Sequence, residues 1–146
     1  MKILACIDLS GSTDKIVKKA EDMAKAFSAQ LWLLHIAEPE PDFVGYDVGP
    51  QTERDFISKI LRDEHRHIQE IADRVRKDGL DATALLVQGP AVETILVEAT
   101  RLGADMIVVG SHGRGAMYRL LVGSVSEGIL RGANCPVLVV PTHERI

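Results

Sequence analysis

The chain has 146 residues, 46% hydrophobic and 26% charged, which is ordinary usage for one globular domain that buries a core without metal or disulfide staples. Its formal net charge of −4 at pH 7 excludes the broadly basic field that general nucleic-acid or membrane-surface binding requires. No stretch approaches the roughly 20 apolar residues of a bilayer span, and the apolar run after Met1 meets Asp8 too soon for a signal peptide, so a cytoplasmic protein without membrane insertion is expected.

Ile3 to Ile7 is a short apolar run that ends in Asp8 and predicts a buried strand. The cluster Ser10-Gly11-Ser12-Thr13-Asp14 supplies turn and helix-capping types. Ile16, Ala20, Met23 and Phe27 then recur at helical spacing. Leu31 to Ile36 is a second, nearly continuous apolar strand, as expected where both faces of a parallel sheet are covered. Residues 38–50, with Pro39, Pro41, Gly45, Gly49 and Pro50, predict a long irregular connection.

Ile57, Leu61, Ile68, Ile71 and Val75 mark a long helix that Gly79 stops. Ala82 to Gln88 is a third strand, and Pro90 opens a helix whose buried face is Val92, Ile95, Leu96, Ala99 and Leu102. Met106 to Val109 is a fourth strand, broken off by Gly110. A short helix follows from about Ser124 to Arg131, stopped by Gly132, Asn134 and Pro136, and Val137 to Val140 is a fifth strand. Strict alternation of strand and helix makes this an α/β chain with a parallel sheet and helices on both faces. Neither a repeat nor a composition shift divides residues 1–146.

In such a doubly wound sheet, ligands bind beyond the carboxyl ends of the strands, where the strand order reverses. The informative segment there is Gly110-Ser111-His112-Gly113-Arg114-Gly115, closed by Gly123-Ser124-Val125-Ser126-Glu127. Glycines let backbone N–H groups turn toward an anion. Ser124 and Glu127 fit a capping box, which predicts a helix start that offers N–H groups and a positive dipole end. His112, Arg114 and Arg119 add local positive charge, so the segment suits a polyphosphate.

The spacing Gly110-x2-Gly113-x9-Gly123-Ser124 resembles the ATP-binding signature of the universal stress protein family. Ile3–Asp8, Leu33–Ile36, Gly89-Pro90, Ala104–Gly113, Gly123–Val125 and Cys135–Val140 extend the likeness over essentially the whole chain. The resemblance implies a flavodoxin-like, Rossmann-like five-stranded parallel sheet of order 3-2-1-4-5. It implies ATP as ligand, with ADP or AMP as alternatives and Mg2+ or Mn2+ as companion ion. It sets Asp8, with Leu9 and Ser10, at the ribose or adenine, Ile36 at the adenine through its backbone, and Gly110, Ser111, His112, Gly113, Arg114, Gly115, Gly123, Ser124 and Val125 around the phosphates. The chain has Asp8-Leu9-Ser10 where the family often has Asp-Gly-Ser. The family also implies a homodimer, here through the exposed edge of the fifth strand, and leaves room for a regulatory protein partner.

A regulator rather than an enzyme is expected, because the loop lacks the Gly-Lys-Ser/Thr ending of P-loop enzymes. The alternative is a slow ATPase or an adenylating enzyme, since Ser10–Asp14 partly resembles the loop of ATP pyrophosphatases. Cys6 and Cys135 lack a Cys-x-x-Cys arrangement and are expected as unpaired, buried thiols. His65 and His67 lie two apart on a helix and do not share a face, so no metal pair is expected there. His35 is expected as a packed, hydrogen-bonded core histidine, and Arg62, Asp63, Glu64, Arg66, Glu70, Asp73, Arg74 and Lys77 as a solvated helix face.

Overall fold

The computed structural model describes residues 1–37, 50–111 and 123–142, with the backbone alone from 50 to 54. Strands and helices alternate as β1 (Lys2–Cys6), α1 (Thr13–Phe27), β2 (Gln30–Ala37), α2 (Pro50–Lys77), β3 (Ala82–Gln88), α3 (Ala91–Leu102), β4 (Met106–Gly110), α4 (Ser124–Gly132) and β5 (Val137–Val140). All strand pairs are parallel and the sheet order is β3-β2-β1-β4-β5, the flavodoxin-like order the resemblance implies.

The two-residue period of the strands sorts the core onto two faces. Ile3, Ala5, Ile7, Leu31 and Leu33 pack against Ile16, Val17 and Ala20 of α1 and Ile68, Ala72 and Val75 of α2. Leu4, Leu34, Ile107 and Val109 pack on the opposite face with Ile95 and Ala99 of α3 and Ile129 of α4. Both faces are therefore covered, which is why the strands read as continuous apolar runs.

Several element ends depart from expectation for physical reasons. β1 begins and ends one residue early, because Lys2 and Asp105 fix its start: Lys2 N donates to the Asp105 carboxylate and Asp105 N to Lys2 O, both at 2.8 Å. Pro50 is not loop but the first residue of α2, where its fixed φ and missing N–H cost nothing. Phe56 and Ile57, in the early turns of α2, are exposed rather than buried. The connection over 38–49 lies outside the described residues.

Helix α4 sits unusually close to α3. A Cβ added at Gly128 would fall 2.8 and 2.9 Å from the two Val92 methyl carbons, and one at Gly132 would fall 2.6 Å from Leu96 Cδ1. Two glycines four apart on one helix face thus let α4 settle onto α3 and set where its N-terminus points.

Candidate functional site: the crevice at the β1 and β4 ends

β1 pairs with β2 on one side and β4 on the other, so the strand order reverses between β1 and β4. Such a reversal opens a crevice at the carboxyl ends. Asp8, Leu9 and Ser10 leave β1 at this point. Asp8 Oδ1 accepts from Ser10 N at 3.0 Å and from Ser10 Oγ at 2.5 Å, and Ser10 Oγ lies 2.9 Å from Ser12 Oγ. This turn holds Leu9 at φ +59, a left-handed conformation that costs a non-glycine residue roughly 1–2 kcal/mol. The half-buried leucine side chain packs on the α1/α2 core. Thr13, at the first turn of α1, is buried and its hydroxyl has no partner among the described residues.

Across the crevice, the end of β4 is tied to α4 and to the tail of β5. Gly123 N donates to Ser111 O at 2.5 Å, Ser111 N donates to Val140 O at 2.8 Å, and Thr142 N donates to Ser111 Oγ at 3.0 Å. The Ser126 hydroxyl donates to Gly110 O and is buried. Gly110, Ser111, Gly123, Ser124 and Val125 are therefore gathered at one place, as the sequence reading expects.

The capping box is corrected. Gly123, extended at φ −69 and ψ 162, is the N-cap, and Ser124 is the first helical residue without a capping role. The bond from Gly123 N to Ser111 O fixes the cap one residue earlier than the Ser-x-x-Glu pattern does. Glu127 consequently pairs with Arg131 at 2.7 Å instead of returning to the cap. Because Gly123 has no side chain to occupy the helix start, the first backbone N–H groups of α4 and the exposed Ser124 hydroxyl remain at the crevice. The residue that pins this turn, Ser126, was not singled out in the sequence; a serine two positions beyond Ser124 was its only mark.

On the β2 side, the register Cys6↔Leu34 carried forward two residues sets Asp8 level with Ile36, and Ile7 N donates to Leu34 O at 2.9 Å. The two residues expected at the nucleoside thus follow the last paired positions, Cys6 and Leu34, on neighbouring strands. His35 between them is a packed core histidine, 6% exposed, with Nδ1 3.0 Å from Ile7 O. Glu64 departs from the expected solvated face: its carboxylate Oε2 lies 3.2 Å from His35 Nε2. His65 and His67 are exposed, as expected. His112, Gly113, Arg114, Gly115 and Arg119 lie outside the described residues.

With the fold and this crevice in place, the decisive finding is that the model of the universal stress protein family matches residues 1–141. The chain belongs to that family. Among its relatives, universal stress protein A homolog 2 of Coxiella burnetii is 35% identical over 141 residues, covering 95% of this chain and 93% of the relative. The universal stress protein UspA from Lactobacillus plantarum superposes with a TM-score of 0.77 at 22% identity, covering 96% and 97% of the two chains, a likeness of fold. A universal stress protein solved in complex with cAMP superposes with a TM-score of 0.67 at 27% identity, covering 98% of each chain.

The remaining chemistry of the family member is sparse. Cys6 and Cys135 are free and half-buried rather than fully buried, and desolvation pushes the Cys6 thiol up to about 12, which keeps it unreactive at neutral pH. Among the described residues, no group of three or more His, Cys, Asp or Glu gathers to hold a metal ion, and no helix is long and apolar enough to cross a membrane.

Proposed function

We propose that this chain binds an adenine nucleotide, in the first place ATP, at the β1/β4 crevice, and works in the cytoplasm as a nucleotide-dependent regulator rather than as an enzyme. The observation that carries the reading is the glycine-opened start of α4, held by Ser111 and Ser126 against the end of β4, the strand that pairs with β1, which leads into the Asp8–Ser10 turn. A helix start favours an anion by about 0.3–1 kcal/mol at exposed sites, and the backbone donors add directional bonds. The cAMP bound by a structural neighbour supports a nucleotide of this class.

In this reading Gly110, Ser111, Gly123, Ser124 and Val125, joined by His112, Gly113, Arg114 and Gly115, surround the phosphates. Asp8, Leu9 and Ser10 meet the ribose, and the backbone of Ile36 meets the adenine. The residues present fit the group: Asp8 is oriented by Ser10, and the buried Thr13 hydroxyl has no partner among the described residues. A Mg2+ or Mn2+ ion would be held mainly by phosphate oxygens, since no cluster of three or more His, Cys, Asp or Glu gathers among the described residues. The bound nucleotide supplies charge and a purine surface whose presence alters what the protein recognises, including a regulatory protein partner and a second copy paired along the β5 edge.

Turnover is not expected to exceed binding in importance. Backbone donors that hold ground state and transition state equally do not speed hydrolysis, and Asp8 Oδ1 is committed to Ser10. Mass spectrometry of nucleotide released from the purified, denatured protein tests the binding; ATP, ADP or AMP at a stoichiometric level supports it, and none under any loading condition rejects it. A phosphate-release assay with Mg2+ or Mn2+ tests the regulator reading. Turnover on the order of 1 s⁻¹ or more, typical of working enzymes, and lost in Gly123→Val would make this an ATPase.

A further inference from the structure

His35 and Glu64 form a pair that the nucleotide reading does not use. His35 Nδ1 lies 3.0 Å from the carbonyl oxygen of Ile7. A carbonyl only accepts, so Nδ1 carries a proton. His35 Nε2 then faces Glu64 Oε2 at 3.2 Å. Neither of these two atoms reaches solvent and neither completes a hydrogen bond, with the other or with any other described group, so their 3.2 Å approach is a contact at ion-pair distance. With one proton on Nδ1 alone, Nε2 would lie beside an ionised carboxylate oxygen, two acceptors close together in a buried place with no donor between them. The contact is favourable only if one further proton sits between them, on the ring or on the carboxyl group.

Among the described residues the surroundings offer no other source of compensation. Ala5 of β1 and Ile7 just beyond it lie on this face, and α1 presents Ile16 and Val17. The charged residues in the first turns of α1, Asp14, Lys15 and Lys18, are exposed, as are Arg62, Asp63, His65, Arg66 and His67 around Glu64 on α2. β3, which pairs Leu86 with His35, contains no ionisable side chain. Asp8, next after Ile7, turns its carboxylate to Ser10. On α2, Glu64 falls in the series Leu61, Glu64, Ile68, Ile71, Val75, the spacing of the face that meets the sheet, and its side chain is only 25% exposed.

The pair also sits where the nucleoside is proposed to bind. Ile7 precedes Asp8, His35 precedes Ile36, and Glu64 belongs to the helix that follows residues 38–49. From this arrangement we infer that His35 and Glu64 share one proton in the folded protein and act as positioning residues, fixing the ends of β1 and β2 for the adenosine portion of the ligand. The positioning role rests on the nucleotide reading; the shared proton does not. Loss of that proton leaves two facing acceptors, drives Glu64 and His35 apart, and releases the carbonyl of Ile7 beside Asp8. Nucleotide affinity therefore falls as pH rises. One linked proton permits at most about tenfold per pH unit.

Glu64→Gln separates the possibilities. Its amide N–H donates to the Nε2 of a neutral ring, so the contact survives without the extra proton. Two measurements are made: 15N and 13C NMR of the His35 ring and the Glu64 carboxyl group in the wild-type protein near pH 7, and calorimetric ATP affinity of wild type and Glu64→Gln from pH 6 to pH 8.5. The expected results are a proton on His35 Nε2 or on the Glu64 carboxyl group, an affinity that falls several-fold with rising pH in the wild type, and a flat profile in Glu64→Gln. A singly protonated His35 with bare Nε2 opposite an ionised Glu64 would overturn the shared proton, whether or not the variant folds. A wild-type pH profile unchanged in Glu64→Gln would overturn the positioning role. Absence of ATP binding in both proteins at every pH would remove the positioning role together with the nucleotide reading, while the NMR signals would still decide the proton.

Discussion

Gly128→Ala is the sharpest test of how the site is held. The added methyl would lie 2.8 and 2.9 Å from the two γ-carbons of Val92 and 3.4 Å from its Cβ. Val92 is β-branched and on a helix, so it has one strongly preferred rotamer and cannot swing both methyl groups away. Overpacking of this kind costs about 1–3 kcal/mol. Exchanging glycine for alanine inside a helix returns about 1 kcal/mol. The net expectation is a loss of about 1 kcal/mol, or roughly 3 °C in Tm for a chain of this size. Gly132→Ala provides the internal contrast, because its new methyl meets chiefly the terminal Leu96 Cδ1 at 2.6 Å, with the next Leu96 atoms at 3.6 and 3.7 Å. A leucine end can move, so that variant should be near neutral. Urea unfolding followed by circular dichroism gives both numbers. Adding Val92→Ala to Gly128→Ala should remove the clash and show a coupling of about 0.5 kcal/mol or more. If Gly128→Ala is as stable as the wild type and shows no coupling to Val92, the close contact between α3 and α4 does not set the position of α4.

Leu9→Ala keeps the positive φ and loses the apolar packing, whereas Leu9→Gly loses packing but relieves the strain; urea unfolding should find the glycine variant more stable by about 1 kcal/mol, and the reverse order would refute a strained Leu9. Burial, and secondarily the charge of Asp78, raises the Glu21 carboxyl group above its ordinary value of 4.5. The folded state then binds more protons than the unfolded state just above that value, so stability falls as pH rises through the window; Glu21→Gln should be more stable than the wild type at pH 7 and should flatten the slope of urea midpoint against pH. Light scattering should find a dimer at micromolar concentration, with Val137→Lys at the β5 edge shifting it to monomer; a monomeric wild type would remove the edge-pairing proposal.

The fold was legible because its signals are local. β3 and β5 match their predicted bounds, since Ala82 and Val137 follow sharp breaks at Gly79 and Pro136 that end one element and free the next. The gathering of Gly110 with Gly123 was legible from the strand order and the two glycine-bearing ends. What escaped was decided at long range. Glu64 sits in a stretch crowded with charges, and only its place in the apolar spacing of Leu61, Ile68, Ile71 and Val75 distinguishes it; the reason it turns inward is a histidine on another strand. Ser124 matched a capping pattern, yet the cap is Gly123, because a carbonyl at the end of β4 holds its N–H. The left-handed Leu9 is invisible to propensity, which disfavours it, and follows from the short turn that Asp8 and Ser10 close around it.

The central claim is that the crevice between β1 and β4 binds ATP through the start of α4, and titration calorimetry of ATP into the wild-type protein and Gly123→Val tests it most directly. A valine at Gly123 places a branched side chain at the helix start while the extended backbone there remains accessible to it, so circular dichroism of the variant should stay native. The account predicts one ATP bound per wild-type chain and no measurable binding to the folded variant. Equal ATP affinity in the two folded proteins, or no binding to the wild type, would contradict it.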